Sequence, residues 1–403
     1  MLLSFEQALV TVREKLSAAN LCPATEILPI DAVRGRVLAE DVEADRDYPP
    51  FNRSTRDGFA VRSSDVTAVP VTLECQGEVR AGEPFAGSVG EGQCVQIMTG
   101  APLPAGTDAV VMLEHVYADG TRVRVERAVA AHENVVRQGS EAASGALVLR
   151  RGRRLGAGEI GLLASVGKAQ VPVFVVPQVS ILPTGDEVVP VEQRPDWFQI
   201  RNSNALTLAA QVENAGGAPR PLGIAPDRKE PLRDLILEGL KSDMLLLSGG
   251  VSAGKYDYVA QVLSELGAEF FFQGVAIRPG KPLVFGRVRE KFFFGLPGNP
   301  VSTYVTFELF VRPAIAMLGG ADFEPLVFLR ARLGKPLRQK LGLTAFMPAR
   351  VEDQNGDPVV SLVGWQGSGD LVGVAAADCF LVVHPEQTEL STGDWVDVLP
   401  KPA

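Results

Sequence analysis

The apolar positions along the chain change rhythm twice. Phe5, Ala8, Leu9, Val12 and Leu16 recur at helical spacing, and Ser4 followed by Gln7 reads as a capping box, so the chain is predicted to begin with an amphipathic helix. From there to about residue 170 the texture is loop-heavy. Val71 to Cys75, Cys94 to Met98, Ala109 to Leu113 and Arg122 to Glu126 read as short strands, broken by Pro49-Pro50, Asp57-Gly58 and the Gly-Ala-Pro-Leu-Pro run at 100–104. This predicts an N-terminal helical base over 1–170 with an inserted β-rich lobe at about 48–140.

Between 171 and 322 the pattern becomes a regular alternation of strand, loop and helix. Val179 to Leu182 is an apolar run ending in Thr184-Gly185-Asp186-Glu187, and Ser203 to Asn214 reads as a helix closed by Gly216-Gly217. Met244 to Leu247 runs into Ser248-Gly249-Gly250, followed by a helix from about Tyr256 to Leu266. Phe292 to Gly295 runs into Leu296-Pro297-Gly298-Asn299-Pro300, followed by a helix to about Leu318. Such alternation predicts a doubly wound, mostly parallel sheet covered on both faces. Residues 323–403 return to β texture with turns at Asn355-Gly356-Asp357, Gly367-Ser368-Gly369-Asp370 and Thr392-Gly393-Asp394, which predicts a small barrel or sandwich. The expected fold class is multidomain α/β, in keeping with a length of 403 residues against ~150 per domain.

Composition narrows the function. The formal charge of −9 argues against general attraction to nucleic acid or to an anionic membrane. No apolar run approaches the ~18 residues of a bilayer span. Cys22, Cys75, Cys94 and Cys379 lie far apart with no zinc-type spacing, and so few cysteines point to a reducing cytoplasm. His115, His132 and His384 are isolated, which leaves a histidine metal site or a Ser-His-Asp triad poorly supplied. The 41 glycines and 29 prolines are spread along the chain and point to many tight loops.

In an open parallel sheet, ligands bind beyond the carboxyl ends of the strands. Three unusual loops, at 184–187, 248–257 and 296–302, fall there. Ser248-Gly249-Gly250-Val251-Ser252 and Pro297-Gly298-Asn299-Pro300-Val301-Ser302 combine glycine, hydroxyls and a following helix N-terminus, a combination suited to an anion. Asp186, Glu187 and Asp257 share the same edge. An anion pocket lined with acids calls for a bridging cation, for which Mg²⁺ is the usual choice. Arg278-Pro279-Gly280-Lys281-Pro282 brings fixed positive charge. Arg53-Ser54-Thr55-Arg56-Asp57-Gly58 could contact phosphate or pair internally, and the residues alone do not choose. Gly156-Ala157-Gly158-Glu159-Ile160-Gly161 matches a dinucleotide fingerprint but follows an Arg-rich turn. It is read as a helix entry with Ile160, Leu163 and Ala164 on its apolar face.

Taken together, the runs Asn52 to Val61, Ile97 to Pro102, Pro183 to Glu187, Ser248 to Ser252, Pro279 to Pro282 and Gly295 to Pro300 resemble, in residues and in order, the MoeA family of molybdopterin molybdenumtransferases, which includes the E domain of gephyrin. The resemblance covers essentially the whole chain. Its middle segment is similar to the wider MoaB/Mog molybdopterin-binding domain. The resemblance implies Mg²⁺-dependent insertion of molybdate into adenylylated molybdopterin, with cleavage of the phosphoanhydride and release of AMP. Carried over by position, it implies catalytic roles for Asp57, Thr99, Glu187, Asp227 and Asp257, while the acids read above at the sheet edge leave the metal to Asp186, Glu187 or Asp257. Substrate binding falls to Ser248, Gly249, Gly250, Ser252, Arg278, Lys281, Pro297, Gly298, Asn299, Pro300, Arg350 and Ser368. The resemblance further implies a cytoplasmic homodimer whose cleft the partner completes, an adenylyltransferase donor and apo molybdoenzyme acceptors. Glu141 departs from the family's usual Asp, and Asn202 from an Asp before Ser-Asn. Two rivals stay open on sequence: a pyrophosphatase-type hydrolase and a scaffold that holds the cofactor without releasing AMP.

Overall fold

A computed structural model describes residues 2–19, 21, 23–250 and 258–402. Its centre is a six-stranded sheet in the order Ala218–Pro221, Gln178–Pro183, Met244–Ser248, Lys291–Leu296, Val284–Val288 and Glu269–Gln273. The first four strands run parallel, Val284–Val288 runs against them, and Glu269–Gln273 runs against Val284–Val288 in turn, in keeping with the mostly parallel sheet that the strand-helix alternation predicts. Side chains alternate between two cores because successive residues of a strand face opposite sides. Leu246, Phe292 and Phe294 join one apolar cluster with the Phe5–Ala18, Ser203–Asn214 and Pro300–Leu318 helical segments. Leu245, Leu247 and Phe293 join the other, with Leu232 and Ile236 of the Lys229–Gly239 helix and Val259 and Val262 of the Tyr258–Glu265 helix.

The first helix forms as its sequence predicts. Ser4 Oγ accepts the Gln7 N–H at 3.2 Å, Gln7 Oε1 accepts the Ser4 N–H at 2.9 Å, and Phe5, Ala8, Val12 and Leu16 are buried. The last helix of the central domain carries a one-turn π segment, Phe307–Val311, between its α-helical halves. The whole 19-residue run Pro300–Leu318 is long and apolar enough to cross a bilayer, which the expectation from apolar runs overlooked. Here 72% of its most apolar stretch is buried against the protein's own core.

The lobe is a second six-stranded sheet, ordered Ala109–Met112, Gly58–Val61, Gln93–Ile97, Val71–Val79, Arg122–Val125 and Val116–Asp119. Around it, Thr25–Pro29 pairs with Gln170–Phe174 and Val42–Glu43 with Leu147–Leu149. The Ala157–Ser165 helix starts at Gly156, whose N–H is capped by the Glu159 carboxylate at 3.0 Å, so the glycine run is a helix entry as expected. Its apolar face differs in one place. Ala164 is exposed, and Ile160, Leu163 and Val166 pack inward instead, because the helix turns its 164 position to solvent.

The C-terminal strands Thr344–Gln354, Asp357–Leu362, Leu329–Leu333, Trp395–Pro400 and Cys379–Val383 pair in that order, and the last returns to the first. This closes a five-stranded barrel around Ala331, Val360, Leu381 and Val398, and closure removes the exposed edges of an open sheet.

Candidate functional site

The carboxyl ends of the central strands open into a cavity of about 540 Å³. Its wall includes Thr184, Gly185 and Glu187 after the Gln178–Pro183 strand, Asp227 after the Ala218–Pro221 strand, Ser248 to Gly250, and Pro297 to Pro300. The described parts of the three loops expected from sequence to share one edge therefore do so. Ser252 and Asp257 lie outside the described residues.

Short-range geometry explains why these loops need their residues. Gly249 and Gly250 have φ of +92° and +62°, where a side chain is strained. A Cβ on Gly249 would sit 2.8 Å from the Thr184 carbonyl oxygen, and one on Gly250 would sit 2.8 Å from Val259 Cγ2. Glycine is the residue that lets the 248–250 backbone close over Thr184. The Gly249 N–H reaches the Leu296 carbonyl at 3.2 Å and Thr184 N–H reaches the Ser248 carbonyl at 2.9 Å, stitching the loops together. Asp186 Oδ1 accepts the Asp227 N–H at 3.1 Å. That bond holds the two acidic loops in register, while Glu187 and Asp227 form the cavity wall.

Asn299 and Pro300 open the helix after the third loop, with proline in the first turn where its missing N–H costs nothing. The barrel reaches this point. Ser368 accepts the Asn299 Nδ2–H at 2.8 Å through Oγ and the Val301 N–H at 2.9 Å through its carbonyl. Ser368 thus meets the site through Asn299, and one N–H of this helix start is used within the protein. Arg350, also on the barrel, donates to the Ala376 carbonyl at 2.8 Å and is not on the cavity wall.

Arg278 and Lys281 are exposed on a turn beside the cavity, where the neighbouring Pro282 forms part of the wall. Among the described lining residues the positive group is Arg201, which sequence reasoning passed over. Arg201 Nε donates to the Val191 carbonyl at 3.0 Å, which fixes the guanidinium base and leaves its other nitrogens for the cavity. Asn204 was missed too. Its Nδ2 donates to Ser248 Oγ and to the Gly298 carbonyl, both at 2.8 Å, and so ties two loops to the Ser203–Asn214 helix. Asn202 caps that helix by accepting the Ala205 N–H at 3.1 Å, a task any short polar side chain performs. Thr184 is buried, with a hydroxyl that no hydrogen-bonding group meets among the described residues.

Asp57 and Thr99 meet in the lobe, away from this wall. Asp57 Oδ1 accepts the Thr99 N–H at 2.7 Å and the Thr99 hydroxyl at 3.0 Å. The backbone bond first, and then the hydroxyl, hold the Asp57 carboxyl below the usual carboxylate range. The choice left open for the arginines resolves on one side: Arg53 Nη2 pairs with Glu141 at 3.1 Å.

Three family models match the chain in order. "MoeA N-terminal region (domain I and II)" matches residues 3–167, "Probable molybdopterin binding domain" matches 180–317, and "MoeA C-terminal region (domain IV)" matches 330–401. A molybdopterin molybdenumtransferase of Bacillus subtilis (strain 168) is 35% identical over 384 residues, covering 93% of this chain and 89% of that protein. One from Haemophilus influenzae is 34% identical over 404 residues, covering 99% and 98%. Among solved structures, the molybdopterin biosynthesis MoeA protein of Pyrococcus horikoshii OT3 superposes with a TM-score of 0.81 at 29% identity, covering 100% of both chains.

Proposed function

The chain belongs to the MoeA family, as a transferase of molybdenum cofactor biosynthesis, and from that premise we propose that it takes adenylylated molybdopterin and molybdate, releases AMP and yields the molybdenum-loaded pterin. The observation that carries this reading is the single cavity in which two carboxylates, Glu187 and Asp227, face glycine-lined loops and Arg201. A phosphoanhydride presents oxygens that backbone N–H groups and a guanidinium bind well, and pterin and nucleotide together need an open, elongated cleft.

The donor set fits Mg²⁺. No group of three or more Asp, Glu, His or Cys side chains forms a metal cage among the described residues. Glu187 and Asp227 offer the one or two carboxylates that Mg²⁺ takes alongside water and phosphate oxygens. Asp186, whose Oδ1 accepts the Asp227 N–H, is the neighbouring carboxylate in the proposed ligand set. Asp257 completes the proposed ligand set. When bound, Mg²⁺ supplies positive charge to the anhydride oxygens. In this reading the chain's own residues do the rest. Arg201, with Arg278 and Lys281 on the adjoining turn, holds molybdate and phosphate oxygens. Ser248 to Gly250, Ser252 and Pro297 to Pro300 hold the ligand against the sheet edge, and Ser368 and Arg350 bring in the barrel. Asp57 and Thr99 act on the cleft from the lobe of a partner subunit, which makes the active form a homodimer, and the enzyme works in the cytoplasm between an adenylyltransferase and apo molybdoenzymes.

Single-turnover release of AMP from adenylylated molybdopterin, with molybdate and Mg²⁺, tests the assignment. Glu187→Ala and Asp227→Ala are expected to slow AMP release by at least ~100-fold, the scale of losing one positioned charge-stabilising group. AMP release at the parent rate in both variants would overturn it. Cleavage that proceeds equally well without molybdate would favour a hydrolase instead.

A further inference from the structure

Cys75 and Cys94 are nineteen residues apart in sequence and adjacent in the lobe. The Val71–Val79 and Gln93–Ile97 strands run parallel with these two residues as direct partners. In-register neighbours of a sheet lie ~4.8 Å apart, inside the ~4.4–6.8 Å spacing of Cα atoms that a disulfide spans. Their side chains leave the sheet on the same face. Cys94 is fully buried in the core on that face, and Cys75 packs against it while half-buried. Cys75 donates to the Gly77 carbonyl at 3.3 Å. The strand pairing slips just beyond this point, between Cys75 and Glu78, so the backbone there is less bound than in an unbroken ladder.

We propose that Cys75 and Cys94 are a modification site, an oxidisable pair that hydrogen peroxide converts into a cross-strand disulfide. Cys75, the solvent-reachable member, attacks peroxide as the thiolate and becomes the sulfenic acid, and the leaving hydroxide takes up a proton as water. The Cys94 sulfur then attacks the Cys75 sulfur. The S–S bond forms, the S–O bond breaks, and the Cys94 proton leaves with the hydroxide as a second water. Two thiols are oxidised and one peroxide is reduced. Burial first, and then Cys75, push the Cys94 thiol up to about 12, so this second step is the slow one and quickens as pH rises. The bond would tie the two strands together just before the Met98–Thr99 turn that holds Asp57.

The test is peptide mapping of the full chain without reductant, after peroxide and after subsequent dithiothreitol. A Cys75–Cys94 linked peptide, lighter than the two thiol peptides by two hydrogens and lost on reduction, is expected. In Cys94→Ala, the Cys75 sulfenic acid trapped by a 1,3-diketone probe is expected to persist, whereas in the parent protein it decays as the disulfide forms. If the parent protein instead keeps both thiols, or carries Cys75 through to the sulfinic acid with Cys94 still free, the proposal is wrong.

Discussion

At the scale of single residues, the site depends on polar atoms whose partners lie far away in sequence. Asp57 is held low by Thr99, forty-two residues on, through a backbone and a hydroxyl bond. Because the folded value lies below the unfolded one, this pairing stabilises the fold above the ordinary carboxylate range. The contribution is lost as pH falls through the lowered folded value. Thr99→Val keeps the N–H and removes the hydroxyl, so the Asp57 carboxyl is expected to titrate at a higher pH. A carboxyl-carbon NMR titration reads this directly, and an unmoved Asp57 would show the hydroxyl to be idle. Arg201 is the second residue to single out. Charged hydrogen bonds are worth about 1.5–3 kcal/mol, so Arg201→Ala should raise KM for the anionic substrate ~10-fold or more. Neither contact was visible in the sequence. Arg201 has no motif around it, and only the turn that returns its strand to the cavity gives it a role.

At the scale of elements, glycine positions and caps carry the weight. Gly250→Ala places a Cβ at positive φ and against Val259, at an expected loss of roughly 1–3 kcal/mol in urea unfolding. The same change should weaken ligand binding, since the loop can no longer close over Thr184. The Phe5–Ala18 helix depends on Ser4, and Ser4→Ala should lower stability by about 1 kcal/mol, read as a lower thermal midpoint. Both elements were legible beforehand for the same reason. Helix periodicity, a capping pair and a Ser-Gly-Gly turn are local signals that need no distant partner. The π segment at 307–311 gave no such signal. It places Glu308 in the core, where Gln211 Nε2 donates at 2.6 Å and Arg312 pairs with it from one turn on.

At the scale of the whole molecule, that buried carboxylate joins the Ser203–Asn214 and Pro300–Leu318 helical segments. Glu308→Ala leaves Arg312 without its buried partner and should cost about 3–5 kcal/mol in equilibrium unfolding, far more than an exposed pair. The separation of Asp57 and Thr99 from the central cavity has a functional consequence. If the cleft is shared between subunits, mixing inactive Asp57→Ala and Glu187→Ala chains restores activity, because one cleft of each mixed dimer holds both intact residues. No recovery on mixing would place the two residues in separate steps or separate sites.

What the sequence determined by itself is local and periodic. It held the two-sided apolar alternation of the central strands, the order of βα loops, the β texture of lobe and tail, and the residues by which the chain resembles its family. Those features are encoded within a few residues of one another, so period and turn chemistry suffice to read them. Only the tertiary structure decided which polar groups share a space. It closed the barrel through Thr344–Gln354 and Cys379–Val383, brought Ser368 onto Asn299, set Arg201 rather than Arg278 or Lys281 on the cavity wall, and laid Cys75 beside Cys94. Each of these pairings joins residues separated by long stretches of chain, and their register is set by core packing that no local pattern records.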